Sequence, residues 1–281
     1  VNIYRPGPSL YTLPTATTPD GNITYTQGRV YPEWRTNDHT FIKGPAGRWH
    51  CFGITKPWVS GDNGHTGEGL CFHAVAPAGT LAEAVAFQTW QDLPKIQVGD
   101  CGWAPAAFRL DDEHVLVGSH LGYASSPDLH TWADRGKLAV KGGNRDPYIL
   151  RLNDQYVMLR CENNGINAVL SDDFQTWSDP VTIYRPEVET YHTESPVLIP
   201  YGGLFYLFWT LWDTADPSTA GYCPKTYVHC SESPFEFLGS TAITEIAVHA
   251  PEILQAEDGQ WFISTTDHPY RGIGLAPLVW E

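Results

Sequence analysis

A single all-β domain built as a five-bladed β-propeller is the fold this sequence predicts, and three observations carry the prediction. Strand-like apolar runs alternate with clusters of Gly, Pro, Asn and Asp along all 281 residues, and no helical periodicity lasts beyond about two turns. Five segments align without a gap: His39 to Trp49, Pro105 to Val115, Pro147 to Val157, Pro196 to Tyr206 and Pro251 to Trp261. Their openings lie roughly 40 to 65 residues apart, which is room for the four short strands of a propeller blade.

Each repeat begins with Pro or His, passes through a short apolar strand, turns at Asp, Asn, Gly or Pro, and re-enters an apolar run, the pattern of a β-hairpin. Proline suits the opening because the first residue of a strand need not donate to the ladder. A second unit trails the hairpin. Ser126, Asp128, Leu129, Thr131 and Trp132 recur as Ser171, Asp173, Phe174, Thr176 and Trp177, with a weaker echo from Ser231 to Phe235, and the tryptophans read as packing anchors between repeats. Too few residues follow Pro251 for a full fourth strand, whereas strand-like pieces precede the first hairpin at Val1 to Tyr4 and Ile23 to Thr26. The N-terminal segment is therefore expected to close the ring by adding a strand to the last blade, making residues 1–281 one domain.

Composition narrows the partners. Lys and Arg total 17 against 32 Asp and Glu, a net charge of −15, so the surface repels phosphate backbones and anionic lipid heads; neither nucleic acid nor a membrane is expected. The 11 Trp and 14 Tyr argue for a packed core rather than disorder. The most apolar run, Leu204 to Leu211, is far short of the roughly 18 to 20 residues that span a bilayer. Six cysteines without a C-x-x-C pair read as buried free thiols. The chain begins at Val1 rather than Met, which fits trimming of a leader, and an exported location is favoured slightly over the cytoplasm.

The chemistry gathers at the hairpin openings. The first strand of each propeller blade lies nearest the axis, so equivalent positions of different blades converge on one central funnel. Immediately before the five openings stand Asn37-Asp38, Trp103-Ala104, Arg145-Asp146, Glu194-Ser195 and His249-Ala250. Three of the five carry a carboxylate, although acidic residues are depleted in strands and clustered charges raise one another's pKa. Local turn capping explains one such residue better than it explains three at matching positions. Clustered carboxylates beside aromatics suit glycoside hydrolysis, which needs one protonated acid at the leaving oxygen and one ionised partner at the anomeric carbon or its water. No H-E-x-x-H, P-loop, G-x-S-x-G or G-x-G-x-x-G is present, so no metal and no cofactor is expected. Trp34 and Trp103 are expected to line the funnel mouth and pack on sugar faces, and His192 and His249 to face the same space.

On these residues the sequence resembles the five-bladed furanosidases of glycoside hydrolase family 32, the invertases, inulinases and levanases, with family 43, the arabinanases and xylosidases, as close cousin. Family 32 carries W-M-N-D-P-N-G in its first blade, R-D-P in the third and E-C-P-D-L in the fourth. This chain has Trp34 to Thr40 enclosing Asn37-Asp38, then Arg145-Asp146-Pro147, then Glu194-Ser195-Pro196. The resemblance covers nearly the whole chain. It implies Asp38 as nucleophile, Glu194 as general acid/base and Asp146 as transition-state stabiliser, with Asn37 and Arg145 among the sugar contacts. His39-Thr40 in place of Pro-Asn, Ser195 in place of Cys, and a length that leaves no room for a C-terminal β-sandwich depart from family 32. The Glu-Ser-Pro form and the single-propeller length look more like family 43, whose members invert and use the first-blade Asp as a base toward water. Arg145 before the third-blade Asp favours the fructan side, and with it retention at a β-fructofuranosidic linkage of an oligosaccharide or polysaccharide. A propeller that binds sugar without turnover is the alternative from another class.

Overall fold

The computed structural model describes residues 1–62, 64–86, 89–143, 145–162, 164–220 and 222–280, which form five four-stranded antiparallel sheets and two small two-stranded ones. Blade one comprises Trp34–Lys43, Trp49–Pro57, Leu70–Val75 and Gln91–Ile96. Blade two is Ala106–Leu110, Glu113–Val117, Gly122–Ser126 and Ala133–Lys137, and blade three is Arg145–Leu152, Gln155–Glu162, Gly165–Ser171 and Val181–Tyr184. Blade four is Tyr191–Tyr201, Leu204–Asp213, Thr226–Ser231 and Thr244–Ile246. Blade five takes Ile253–Gln255, Trp261–Thr266 and Ile273–Leu278 from the end of the chain and Asn2–Tyr4 from its start. The N-terminal strand lies outermost, pairing Asn2 with Gly274 and Tyr4 with Ile273, and Ile3 is fully buried beneath the seam.

The hairpin turns explain the register. Leu152 pairs with Gln155 across Asn153-Asp154, and Tyr201 with Leu204 across Gly202-Gly203. All four of these turn residues have positive φ, as a two-residue turn matched to strand twist requires, and Asn, Asp and Gly reach that region most cheaply. The trailing unit is a local device of its own. Asp128 Oδ1 accepts from the backbone N–H of His130 and Thr131 at 2.8 and 2.7 Å, and Asp173 repeats this with Gln175 and Thr176 at the same distances. The turn drives Leu129 and Phe174, both fully buried, into the core. Trp132 packs edge-on against Phe52 and Trp177 against Phe174.

Because neighbouring blades pack face to face, the core lies between them. Phe52, Leu116 and Leu129 fill the gap between blades one and two; Val115, Met158 and Phe174 that between two and three; Leu159, Leu198 and Trp209 that between three and four. Phe208, Ile253 and Ile263 join four to five, and Phe72, Leu254 and Ile273 join five back to one. The long spacing of blade one holds a short helix, Leu81–Ala86, whose start is closed by a reciprocal capping pair of Thr80 and Glu83. Residues 9–31 form a strap of paired two-residue strands over a cluster of Tyr11, Tyr25, Tyr31 and Trp34. Five of the six cysteines are buried, and all six are free thiols.

Candidate active site

At three openings the innermost strand breaks register with its neighbour: between Thr36 and His39, between Arg145 and Tyr148, and between Glu194 and Val197. A bulge inserts unpaired residues and turns their side chains out of the pleat, here toward the axis. Ala104, Asp146, Ser195 and Ala250, each directly before a proline, share a left-handed backbone with φ between 39° and 52°. Proline steers its predecessor toward extended backbone, so a left-handed conformation there, which costs a non-glycine residue about 1–2 kcal/mol, is imposed by the surrounding structure. The same unusual conformation thus recurs at one point of four blades and aims the flanking side chains at a common centre. In blade one His39 replaces the proline; its Nε2 lies 2.7 Å from Ser264 Oγ, which ties the strand to blade five.

The centre is a cavity of about 370 Å³ whose walls include Asn37, Asp38, Trp103, Arg145, Asp146 and Glu194. Arg145 organises it. Its guanidinium meets Glu194 Oε1 at 2.9 Å, donates to the Thr193 carbonyl at 2.7 Å, and lies 3.8 Å from Asp146 Oδ2. Asp146 is clamped from behind, with its own N–H donating to Ser119 Oγ at 3.0 Å and its Oδ2 accepting from the Ser195 N–H at 3.2 Å. The Ser195 hydroxyl donates to Asp38 Oδ1. Burial, reinforced by the charges of Asp146 and Asp38, pushes the Glu194 carboxyl up to about 7 even against the pull of Arg145. Burial likewise lifts Asp146 to about 6, with Arg145 holding it back and Asp38 adding to the rise. About a quarter of the Glu194 side chain (27%) still faces the cavity, and Arg145 engages only its Oε1. A carboxyl that keeps its proton up to about pH 7 and is open on one side can give that proton to a bound oxygen. The fixed guanidinium and the second carboxylate can stabilise developing positive charge and anchor hydroxyls.

Three expected cavity residues lie elsewhere. Trp34 is 2% exposed and packs on Tyr31 and Leu70, its indole N–H donating to the Tyr31 carbonyl, because its strand position faces the N-terminal strap rather than the axis. His249 sits behind Asn37. Its Nδ1 lies 2.8 Å from the Cys223 carbonyl and its Nε2 3.2 Å from the Asn37 side-chain amide, so it braces that residue without reaching the cavity wall. His192 packs on Trp212 with ring centroids 5.3 Å apart, and Trp212 forms the wall in its place. Residues absent from the sequence-based expectation complete the site. Ser195 stood inside a recognised motif; Ser119, His65 and Glu68 come from the loops joining the second and third strands of their blades, which differ in length and sequence from blade to blade, so neither spacing nor alignment marks them.

Below the cavity, Asp38, Asp146, Ser195 and the ring of prolines narrow the axis to a space of about 20 Å³. Glu252 borders it, and burial, with a contribution from Asp38, pushes its carboxyl up to about 8.

No protein-family model matches the chain, and no curated protein does. Solved structures share its fold. A thermostable family-43 glycoside hydrolase superposes with a TM-score of 0.61 at 16% identity, over 95% of this chain and 94% of that one. The native arabinanase of Bacillus subtilis gives a TM-score of 0.61 at 16% identity over 88% and 95% of the two chains. The GH43B protein of a Bacteroides ovatus xyloglucan PUL gives 0.60 at 13% identity over 88% of this chain and 53% of its own, so the present chain spans about half that protein's length. At such identities the likeness establishes the propeller fold.

Proposed function

We propose that this chain is a glycoside hydrolase of the family-43 kind, cleaving furanosidic linkages, with arabinofuranosyl units of an oligosaccharide or polysaccharide as the first candidates. The observation that carries this reading is the convergence of Asp38, Asp146 and Glu194 on one cavity, with Glu194 raised to about 7 beside two further carboxyls. In this reading Glu194 protonates the leaving oxygen, Asp38 acts as base toward a water at the anomeric carbon, and Asp146 with Arg145 holds sugar hydroxyls and balances transition-state charge. Trp103 and Trp212 offer aromatic surface to the apolar C–H patches of sugar rings.

The similar solved folds carry the names family 43 and arabinanase, which supports this branch over the fructan-side reading drawn from Arg145. That second reading keeps one feature in its favour, the Arg145-Asp146 pair itself. One experiment serves both: incubation with 4-nitrophenyl furanosides, arabinans and fructans, following the first-formed anomer by proton NMR. Hydrolysis of arabinosyl substrates with inversion is the expected result. A retained product from a fructan would move the protein to the family-32 side, and sugar binding without any turnover would leave a lectin-like propeller.

A further inference from the structure

The cavity has a wall on blade one that the hydrolytic mechanism does not use. The loop between Trp49–Pro57 and Leu70–Val75 is anchored from within by Lys56, whose fully buried ammonium donates to Asp62 Oδ2 at 2.8 Å and to the carbonyls of Gly64 and Thr66. The anchored loop carries His65 and Glu68 to the cavity. Glu68 is buried, with 1% of its side chain exposed, and its Oε2 lies 3.0 Å from His65 Nδ1. His65 itself is 71% exposed, and its ring stands 6.5 Å from that of Trp103. A carboxylate accepting from one ring nitrogen favours the doubly protonated imidazole, in which the other nitrogen is a donor as well. Nε2 of His65 is then a fixed N–H presented beside an aromatic face, the combination that takes up a sugar ring through one stacked face and one hydroxyl.

We propose that His65, held by Glu68, is a substrate-binding residue that donates from Nε2 to a hydroxyl of a neutral sugar ring packed on Trp103, with Glu68 as its positioning residue. The inference rests on the glycosidase reading and deepens it by assigning a recognition edge on blades one and two, away from the acid on blade four. A neutral ring fits better than an anionic one because Asp38, Asp146, Glu194 and Glu68 border the same cavity. The charged groups acting on His65 are Glu68, which raises its pKa, and Arg35 and Lys56, which oppose that rise along with burial. The carboxylate prevails, so His65 stays a cation to higher pH than a free imidazole.

The test compares wild type with His65→Ala, His65→Gln and Glu68→Gln in two assays: hydrolysis of the oligosaccharide the wild type cleaves best, and calorimetric binding of that oligosaccharide to each protein in a Glu194→Gln background. His65→Ala is expected to raise KM and weaken binding about tenfold, the loss of one hydrogen bond from a charged donor, with a smaller change in kcat. His65→Gln, which keeps an N–H donor, should recover part of the loss. Glu68→Gln should lower the His65 pKa read by NMR and move the pH at which KM begins to rise downward with it, a change that a merely structural Glu68 would not produce. Unaltered KM and binding in His65→Ala, with wild type active, overturn this proposal and leave the glycosidase reading standing. A wild type that neither cleaves nor binds any sugar of the panel overturns both. Should Glu68→Gln fail to fold, the two substitutions at the exposed His65 decide.

Discussion

Ser195 joins two carboxylates of the candidate site: its hydroxyl donates to Asp38 Oδ1 from blade four to blade one, while its N–H reaches Asp146 Oδ2 at 3.2 Å on blade three. It does so from a left-handed backbone with φ of 46°, immediately after the proposed acid, Glu194. One strained residue therefore sets the orientation of the proposed base and the separation of both aspartates.

Ser195→Gly isolates the hydroxyl from the backbone. Glycine accepts positive φ without strain and retains the N–H to Asp146, so thermal stability should hold or rise, while kcat should fall about tenfold as Asp38 loses its fixed orientation. Ser195→Ala should lose the same activity without the gain in stability. Paired melting curves and kcat values check this, and undiminished kcat in the glycine variant would show that the hydroxyl orients nothing.

The rise of Glu194 to about 7 sets an alkaline limb for activity. An acid must be protonated to work, so kcat/KM should decline tenfold per pH unit above about 7. Arg145 pulls that pKa down through its 2.9 Å contact, so Arg145→Leu should move the limb to higher pH while lowering the maximum, because the guanidinium also faces the cavity. A pH–rate profile in which the limb stays in place would remove Glu194 from the acid role.

The two tryptophans singled out by the sequence should part company. Trp34→Ala opens a hole under the N-terminal strap and should cost about 3–5 kcal/mol of stability. Trp103→Ala, on the cavity wall, should leave the fold intact and raise KM. Denaturant titration beside steady-state kinetics separates the outcomes, and unfolding of the Trp103 variant would make it a packing residue too.

Glu252 should make the fold sensitive to alkali. Its folded-state carboxyl lies at about 8 against an ordinary value of 4.5, so between those values the folded chain holds a proton that the unfolded chain has released. Stability therefore falls as pH rises through that window, by at most about 5 kcal/mol for a shift of this size. Glu252→Gln should flatten the decline, with its largest gain in melting temperature near pH 8. Melting temperatures at pH 5 and pH 8 check this, and parallel losses in both proteins would refute the assignment.

What the sequence by itself determined are the features written in short-range chemistry. The turns at Asn153-Asp154 and Gly202-Gly203, the side-chain turns at Asp128 and Asp173, and the prolines after the left-handed residues each act within a few positions, so they repeat visibly and reveal the blades. Repetition also placed Asp38, Asp146 and Glu194 at one centre, because equivalent positions in a closed ring must converge. Only the tertiary structure decided which neighbours of those positions face the cavity. Trp34 and Trp103 precede adjacent openings and look alike in sequence, yet the N-terminal strap covers one and leaves the other at the wall. His249 and Asn37 stand 212 residues apart and meet because blade five closes against blade one. His65 and Glu68 ride the loop between the second and third strands of blade one, whose length and sequence the other blades do not repeat, held by the buried ammonium of Lys56. Such contacts depend on closing the ring, and no local propensity or repeat spacing encodes which side chain will lie across the gap.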